Sequence, residues 1–276
     1  MDRVDLLVHY INARLEAAQQ WSAGGPPPFS PDPIIAVYRF TNVYREDDRV
    51  TRYILGWLNQ NYDGNVATSA ALARFINEPP TLNFLGYPKV WSPTTTATAL
   101  RAWRDSGRRT FNPAYIISTN GQKMDKLDYI TDIVNEVHEY VHLLPGLPLW
   151  RAARELTKIS GIGTFMAGQI IGDLKHTPLL ADADDWWTWA TPGPGSQRGL
   201  SYVLGHPSTR KLSEPAFLAE MSELMNEVLP RLALPRRLDA QNFQNCLCEF
   251  SKYCRAVDGT GRPKQGYTPF LPPAAH

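Results

Sequence analysis

The sequence predicts a mainly α protein. Three observations carry this: apolar side chains recur at helical spacing over most of the chain, strand patterning is nearly absent, and Pro- and Gly-rich breakers cut the pattern into helix-length pieces. With 276 residues, 43% of them hydrophobic, the chain can bury a proper core in one large domain or one domain with two lobes.

The elements follow in order. An amphipathic helix over Val4–Trp21 stops at the breaker run Ser22-Ala23-Gly24-Gly25-Pro26-Pro27-Pro28, and extended proline-rich chain continues to Pro33. Asp48–Asn61 carries Val50, Tyr53, Ile54, Trp57 and Leu58 at helical spacing. Further helices are predicted over Ala67–Phe75, Thr94–Ser106, Lys126–Leu143, Pro148–Lys158, Thr164–Lys175, Glu214–Leu232 and Asp239–Ala256. Ala114–Ser118 is a candidate short strand. Pro192–Gly195 and the tail after Asp258 read as loops.

Composition narrows the function classes. Net charge is +1, so no global basic field marks the chain as a nucleic-acid binder, and any such footprint has to be local. Cys246, Cys248 and Cys254 are an odd set with no secretory pattern and no histidine nearby, which makes them packing thiols rather than a disulfide or zinc framework. The N-terminus opens straight into a helix, and no apolar run approaches the roughly 20 residues that cross a bilayer. The expectation is a soluble, cytoplasmic chain with no membrane partner. Oligomeric state leaves no mark on the sequence.

The stretch most open to a functional reading is Leu156–Asp182, LTKISGIGTFMAGQIIGDLKHTPLLAD. Gly161 and Gly163 permit a tight turn between two helices. The helix after them starts near Thr164 with amides that lack intrahelical partners, and these can face a phosphate oxygen with the helix dipole behind them. A plain packing joint between two helices explains the same glycines. On spacing alone both readings stand.

Asp182 follows 19 positions after Gly163, and here the pattern resembles the helix-hairpin-helix DNA glycosylase superfamily. Ile159, Gly161, Ile162, Gly163, Ala167, Pro178 and Asp182 carry the resemblance, over residues 110–200. It implies a backbone grip on DNA through Gly161, Ile162, Gly163 and Thr164, and a catalytic aspartate at Asp182. Bifunctional members place a lysine two residues after the second glycine; this chain has Phe165, which points to a monofunctional enzyme.

A second resemblance covers most of the chain. YRFTNVYREDDRVTRY (Tyr38–Tyr53), GPGSQRGL (Gly193–Leu200) and DAQNFQNCLCEFSKYCR (Asp239–Arg255) are similar to the α-glutamyl/putrescinyl-thymine pyrophosphorylase, amino acid:DNA transferase and 5-hydroxymethyl-dUMP DNA kinase helical-domain family. That family belongs to phage base hypermodification. The implied architecture is a single DNA glycosylase-like helical domain over residues 1–276. Its hairpin lies at 156–175, the N- and C-terminal helices pack as a second lobe, and the two lobes flank a cleft.

The candidate residues follow. A base must leave the duplex stack before chemistry can reach it. Asp182, with Asp184 and Asp185 as competitors, could then stabilise an oxocarbenium-like sugar or deprotonate an incoming amine; the plain alternative is a solvated acidic turn or a helix cap at Trp186. Asn42, Arg45, Trp186, Gln241, Glu249 and Lys252 are candidates for a substrate-base pocket. For Asn42 and Arg45 the alternative is a buried hydrogen-bond network, for Glu249 and Lys252 an i,i+3 ion pair, and for Trp186 core packing. Arg198 with Gly193–Gly195 could clamp a phosphate, or form an ordinary surface turn. Arg101, Arg104, Arg108 and Arg109 form a charge run that is either a phosphate-facing patch or a solvated face.

His138-Glu139-Tyr140-Val141-His142 fits the zinc-protease pattern H-E-x-x-H, with two histidines on one helix face. Pro145 ends that helix within a turn, no third ligand follows at a familiar spacing, and Tyr140 and Val141 suit simple core, so no metal is assigned. No cofactor is expected beyond a monovalent cation at the hairpin.

The leading expectation is a DNA glycosylase excising bulky, hypermodified or glucosylated pyrimidines from double-stranded phage DNA, leaving abasic sites, as anti-phage defence. A chain without a kinase domain favours this reading. The alternative is an amino acid or polyamine:DNA transferase acting on activated 5-hydroxymethyluracil. The third is a non-catalytic reader of modified DNA.

Overall fold

The computed structural model describes residues 2–113, 118–263 and 266. Along the chain the helices are α1 (Arg3–Ser22), α2 (Pro33–Val37), α3 (Arg49–Gln60), α4 (Val66–Ile76), α5 (Pro79–Leu85) and α6 (Pro93–Asp105). Then come α7 (Lys126–Tyr140), α8 (Leu149–Leu156), α9 (Thr164–Leu174), α10 (Pro194–Val203), α11 (Glu214–Val228) and α12 (Ala240–Val257). Among the described residues there is no strand, only an isolated antiparallel bridge between Tyr38 and Gly266. The candidate strand at 114–118 falls on residues outside the described set, apart from Ser118. None of the described helices is long and apolar enough to cross a membrane.

The chain divides into two compact units, Met1–Asp48 with Ala190–His276, and Arg49–Trp189. The first is built on α1, α10, α11 and α12. Asp2 caps α1 by accepting the Arg3 amide, and Leu7, Tyr10, Ile11, Ala13 and Ala17 supply its buried face. Tyr10, Phe40, Phe250 and Tyr253 join in an aromatic cluster at the centre. Asp239 caps α12 through the Asn242 amide.

Pro192–Gly195, predicted as a loop, is corrected. Pro194 takes the first position of α10, where its missing N–H costs nothing, and Gly193 is the N-cap. The glycines of this motif serve packing. A Cβ on Gly195 would stand 2.3 Å from Cys248 Sγ, and one on Gly199 would stand 2.1 Å from the Leu247 carbonyl oxygen. Only glycine lets the backbones of α10 and α12 come this close.

The second unit is centred on α4, whose residues are buried on every side, with α7 and α9 packed against it. Inside it Arg74 of α4 meets Asp173 of α9 in a two-pronged ion pair, both side chains almost wholly buried. Arg74 also donates to Asn77 Oδ1 and Thr51 Oγ1, each at 3.2 Å.

Other boundaries shift. The helix expected to Leu143 ends at Tyr140 and continues as a 3-10 turn, and the one expected to Leu232 ends at Val228 in the same way. Asp184–Thr188 forms turns, so there is no helix at Trp186 for Asp182, Asp184 or Asp185 to cap.

Candidate functional site

The hairpin is present as α8, a turn and α9. Ile159 and Ile162 are buried and anchor the turn, and the Ile162 amide donates to the Ile159 carbonyl at 3.1 Å. The two glycines differ in what the fold asks of them. Gly161 has φ +93°, and a Cβ there would lie 2.4 Å from Ile133 Cδ1 and 2.8 Å from Tyr129 Oη. Gly163 has φ −81°, and a Cβ there would meet nothing within 4 Å. Folding therefore requires the first glycine and not the second. Gly163 is also the N-cap of α9 and brings no capping side chain. Bare backbone at an exposed helix start is what close approach to an anion requires.

This difference gives a measurable contrast. Gly161→Ala is expected to cost about 2–4 kcal/mol, from overpacking together with the left-handed backbone. Gly163→Ala should change stability by less than about 1 kcal/mol, since a weaker N-cap and a stiffer unfolded chain oppose each other. Urea unfolding of the two variants checks this.

After α9 the chain turns through Asp182, Asp184 and Asp185. Asp182 and Asp184 are exposed and line a surface cavity of about 480 Å³ with Tyr62, Pro145, Pro148, Pro178 and Leu179. A neighbouring cavity of about 410 Å³ shares Tyr62, Pro145 and Leu179 and ends at Asp63 and His142. Asp185 is structural. Its two carboxylate oxygens accept the Leu149 and Trp150 amides, at 2.6 and 3.0 Å, and cap α8 from outside.

Trp186 is held by its own chain. Its indole N–H donates to the Lys175 carbonyl at 2.7 Å, and the Lys175 ammonium lies 4.1 Å from its ring centroid. Trp187 packs against the Trp186 ring, centroids 4.5 Å apart, with its outer side exposed.

The other pocket candidates gather in the first unit, where residues 39–48 run beside α12. Asn242 Oδ1 accepts the Arg45 amide at 2.8 Å, and its Nδ2 donates to Glu46 Oε2 and Asp239 Oδ2. Asn245 donates to Thr41 Oγ1 at 3.0 Å. Lys252 pairs with Glu249 at 2.5 Å, the i,i+3 pair that the spacing allows, and Glu249 also accepts the Thr41 amide at 3.4 Å. Arg45, Gln241 and Glu249 are buried, while Asn42 and Lys252 are half-exposed. Asn42, Arg45, Glu249 and Lys252 thus belong to one polar network, and Gln241 lies buried on the same helix. Arg198 is exposed on α10, outside any turn.

Asp48 is a residue that sequence reasoning missed. It accepts the Asn42 amide at 3.2 Å, and burial pushes its carboxyl up to about 6, against the opposing pull of that hydrogen bond and of Arg45. A carboxyl tuned to that range suits proton transfer near neutral pH. Only the fold shows that it is half-buried against the Asn42 amide; in the sequence it reads as the start of α3.

Two further motifs resolve into local structure. Three of the four arginines of the run are engaged, Arg101 with Asp128, Arg104 with Asp125, and Arg108 over the Trp103 ring at 4.5 Å, while Arg109 is exposed. In the H-E-x-x-H segment the helix ends between the two histidines, and His138 Nδ1 stands 3.1 Å from Thr68 Oγ1. Among the described residues no trio of His, Cys, Asp and Glu is placed to hold a metal ion.

The chain matches the family described as 5-hmdU DNA kinase, helical domain, over residues 1–261. A relative, the 5-hmdU DNA kinase of Bacillus phage SP10, is 26% identical over 265 residues, covering 83% of this chain and 41% of that protein. The chain therefore spans less than half the length of that relative. No solved structure matches it. These findings overturn the leading expectation. The relative is named for phosphoryl transfer on DNA, not for hydrolysis of a glycosidic bond, so the monofunctional DNA N-glycosylase reading falls, and the anti-phage excision role falls with it. Asp182 lies open to solvent on the turn after α9, and its position does not single out hydrolysis at a sugar carbon over other chemistry. With most of its length matched, the chain belongs to the 5-hmdU DNA kinase helical-domain family.

Proposed function

We propose that this chain is a DNA-base-modifying transferase module that engages phage DNA and acts at 5-hydroxymethyluracil. In this reaction an amine attacks the base's 5-methylene carbon once its hydroxyl has been esterified. A C–N bond forms, the C–O bond breaks, the phosphate or pyrophosphate leaves with its electron pair, and the amine's proton passes to a carboxylate. The observation that carries the reading is family membership over residues 1–261. It is supported by the hydrogen bonds that join the FTNVYR segment to Asp48, through the Asn42 amide, and to Glu249 of the CEFSKYC segment, through the Thr41 amide. DNA is the proposed partner, gripped at Gly163 and Thr164 in a helix-hairpin-helix manner, which the α8–turn–α9 arrangement supports. Two carboxyl sets are available for the proton: Asp182 with Asp184 on the rim of the cavity, and Asp48 beneath Asn42.

A second reading comes from the relative's name and the 41% coverage of it. Here the chain presents 5-hydroxymethyluracil in DNA to a separate phosphoryl-transfer centre, since the 276 residues contain no Gly-x-x-x-x-Gly-Lys-Ser/Thr loop of their own.

The test is mass spectrometry of nucleosides from 5-hydroxymethyluracil DNA, plain or enzymatically pyrophosphorylated, after incubation with the protein and a mixture of amines and amino acids. The transferase reading expects an amine adduct only on the activated DNA. The rate should fall about 10²–10⁴-fold in whichever of Asp182→Asn and Asp48→Asn removes the base. DNA that stays unchanged with every nucleophile, yet is bound and becomes phosphorylated when a kinase is added, replaces transfer with presentation.

A further inference from the structure

The exposed side of α8 carries a charge arrangement that helix stability does not explain. Its inner face is Leu149, Ala152, Ala153 and Leu156, all buried. Its outer face presents Trp150, which is 44% exposed, together with Arg151, Arg154 and, just past the helix, Lys158. Lys158 is paired with Glu155 at 2.5 Å. Arg151 and Arg154 make no ion pair among the described residues, unlike the arginines of α6. Cations near a helix C-terminus favour the dipole, which accounts for Arg154 and Lys158. Arg151 sits in the first turn, where a cation opposes the dipole, and both oxygens of the Asp185 carboxylate at that end are taken by the Leu149 and Trp150 amides. Arg151 and Arg154 lie three apart and so share a face. The helix runs about 12 Å at 1.5 Å per residue, from the acidic turn at Asp185 to the hairpin turn.

We propose that the outer face of α8 is a phosphate track, with Arg151 and Arg154 each neutralising one phosphate of a duplex DNA strand that continues to the amides at Gly163 and Thr164. This rests on the DNA-engaging reading above and adds to it the surface along which the strand lies. The acidic turn at the far end sets the limit of the track, because the carboxylates of Asp182 and Asp184 repel further phosphates.

The test is the salt dependence of duplex DNA binding, measured by fluorescence anisotropy on the full chain. Each lost phosphate contact should reduce the slope of log K against log salt by about 0.9, so the Arg151→Ala/Arg154→Ala double variant should lose about 1.8. Lys replacements at both positions should keep the slope. Lys211→Ala, an exposed charge in the other unit, should leave it unchanged. A double variant that binds with the wild-type slope, an equal loss in Lys211→Ala, or a loss confined to single-stranded DNA would each overturn the track while leaving DNA engagement intact. No duplex binding by the wild-type chain at any salt would instead defeat the parent reading.

Discussion

Gly199→Ala is expected to destabilise the first unit by at least about 3 kcal/mol, at the upper end of overpacking costs. The added methyl would sit 2.1 Å from the Leu247 carbonyl oxygen, 2.8 Å from its carbon and 3.2 Å from its Cα. These are backbone atoms inside α12 with no rotamer to change, so relief requires α10 to move off α12 as a whole. Gly195→Ala is a milder case. Its nearest obstacle is Cys248 Sγ at 2.3 Å, with Cys248 Cβ next at 3.4 Å, and a thiol can swing aside. Its cost should be about 1–2 kcal/mol, mostly recovered in Gly195→Ala/Cys248→Ala. Chemical unfolding of these variants decides the point: equal costs at 195 and 199, or a Gly199 variant as stable as the parent, would mean that the helices are not in the close contact described.

The second large effect concerns Arg74 and Asp173. Asp173→Asn should cost about 3–5 kcal/mol, because it leaves the Arg74 guanidinium charged and buried without its carboxylate. The energy at stake is desolvation rather than the strength of the pair. Replacing both partners with apolar residues of similar volume, as in Arg74→Met/Asp173→Leu, should therefore recover most of the loss. A double-mutant cycle in guanidinium chloride reads both contributions. If the double replacement is no more stable than Asp173→Asn, the remaining polar partners Asn77 and Thr51 hold more of the energy than the ion pair does.

Periodicity made the long helices legible, because an apolar stripe is a local property of a sequence. The helices α2, α5 and α10 were not. Residues 33–37, 79–85 and 194–203 each open on a proline that reads as a breaker, although in the first turn of a helix it is tolerated. The Gly193–Leu200 motif looked like a turn or a clamp for the same reason. Its glycines answer to Leu247 and Cys248, about 50 residues away, and no local pattern encodes that. Among the candidate residues, the double glycine was visible, but the division of labour between Gly161 and Gly163 depends on Ile133 and Tyr129. Asp182 and Asp184 were legible as an acidic turn, while the capping by Asp185 depends on two amides in α8. Asp48 was missed because a carboxyl in a row of charged residues gives no sign of being half-buried. The excision reading failed at a different level: a glycine hairpin and a following aspartate are a local pattern, and the reaction is set by a constellation that those residues alone do not specify.

The cap that Asp185 places on α8 has a mechanical consequence. By holding the amides of Leu149 and Trp150, it closes residues 149–185 into a hoop that contains the hairpin, all of α9 and the acidic turn. Those two bonds tie the acidic turn directly to the first turn of α8, so a change that breaks them frees the turn at Asp182 and Asp184 and the start of the hairpin's first helix together.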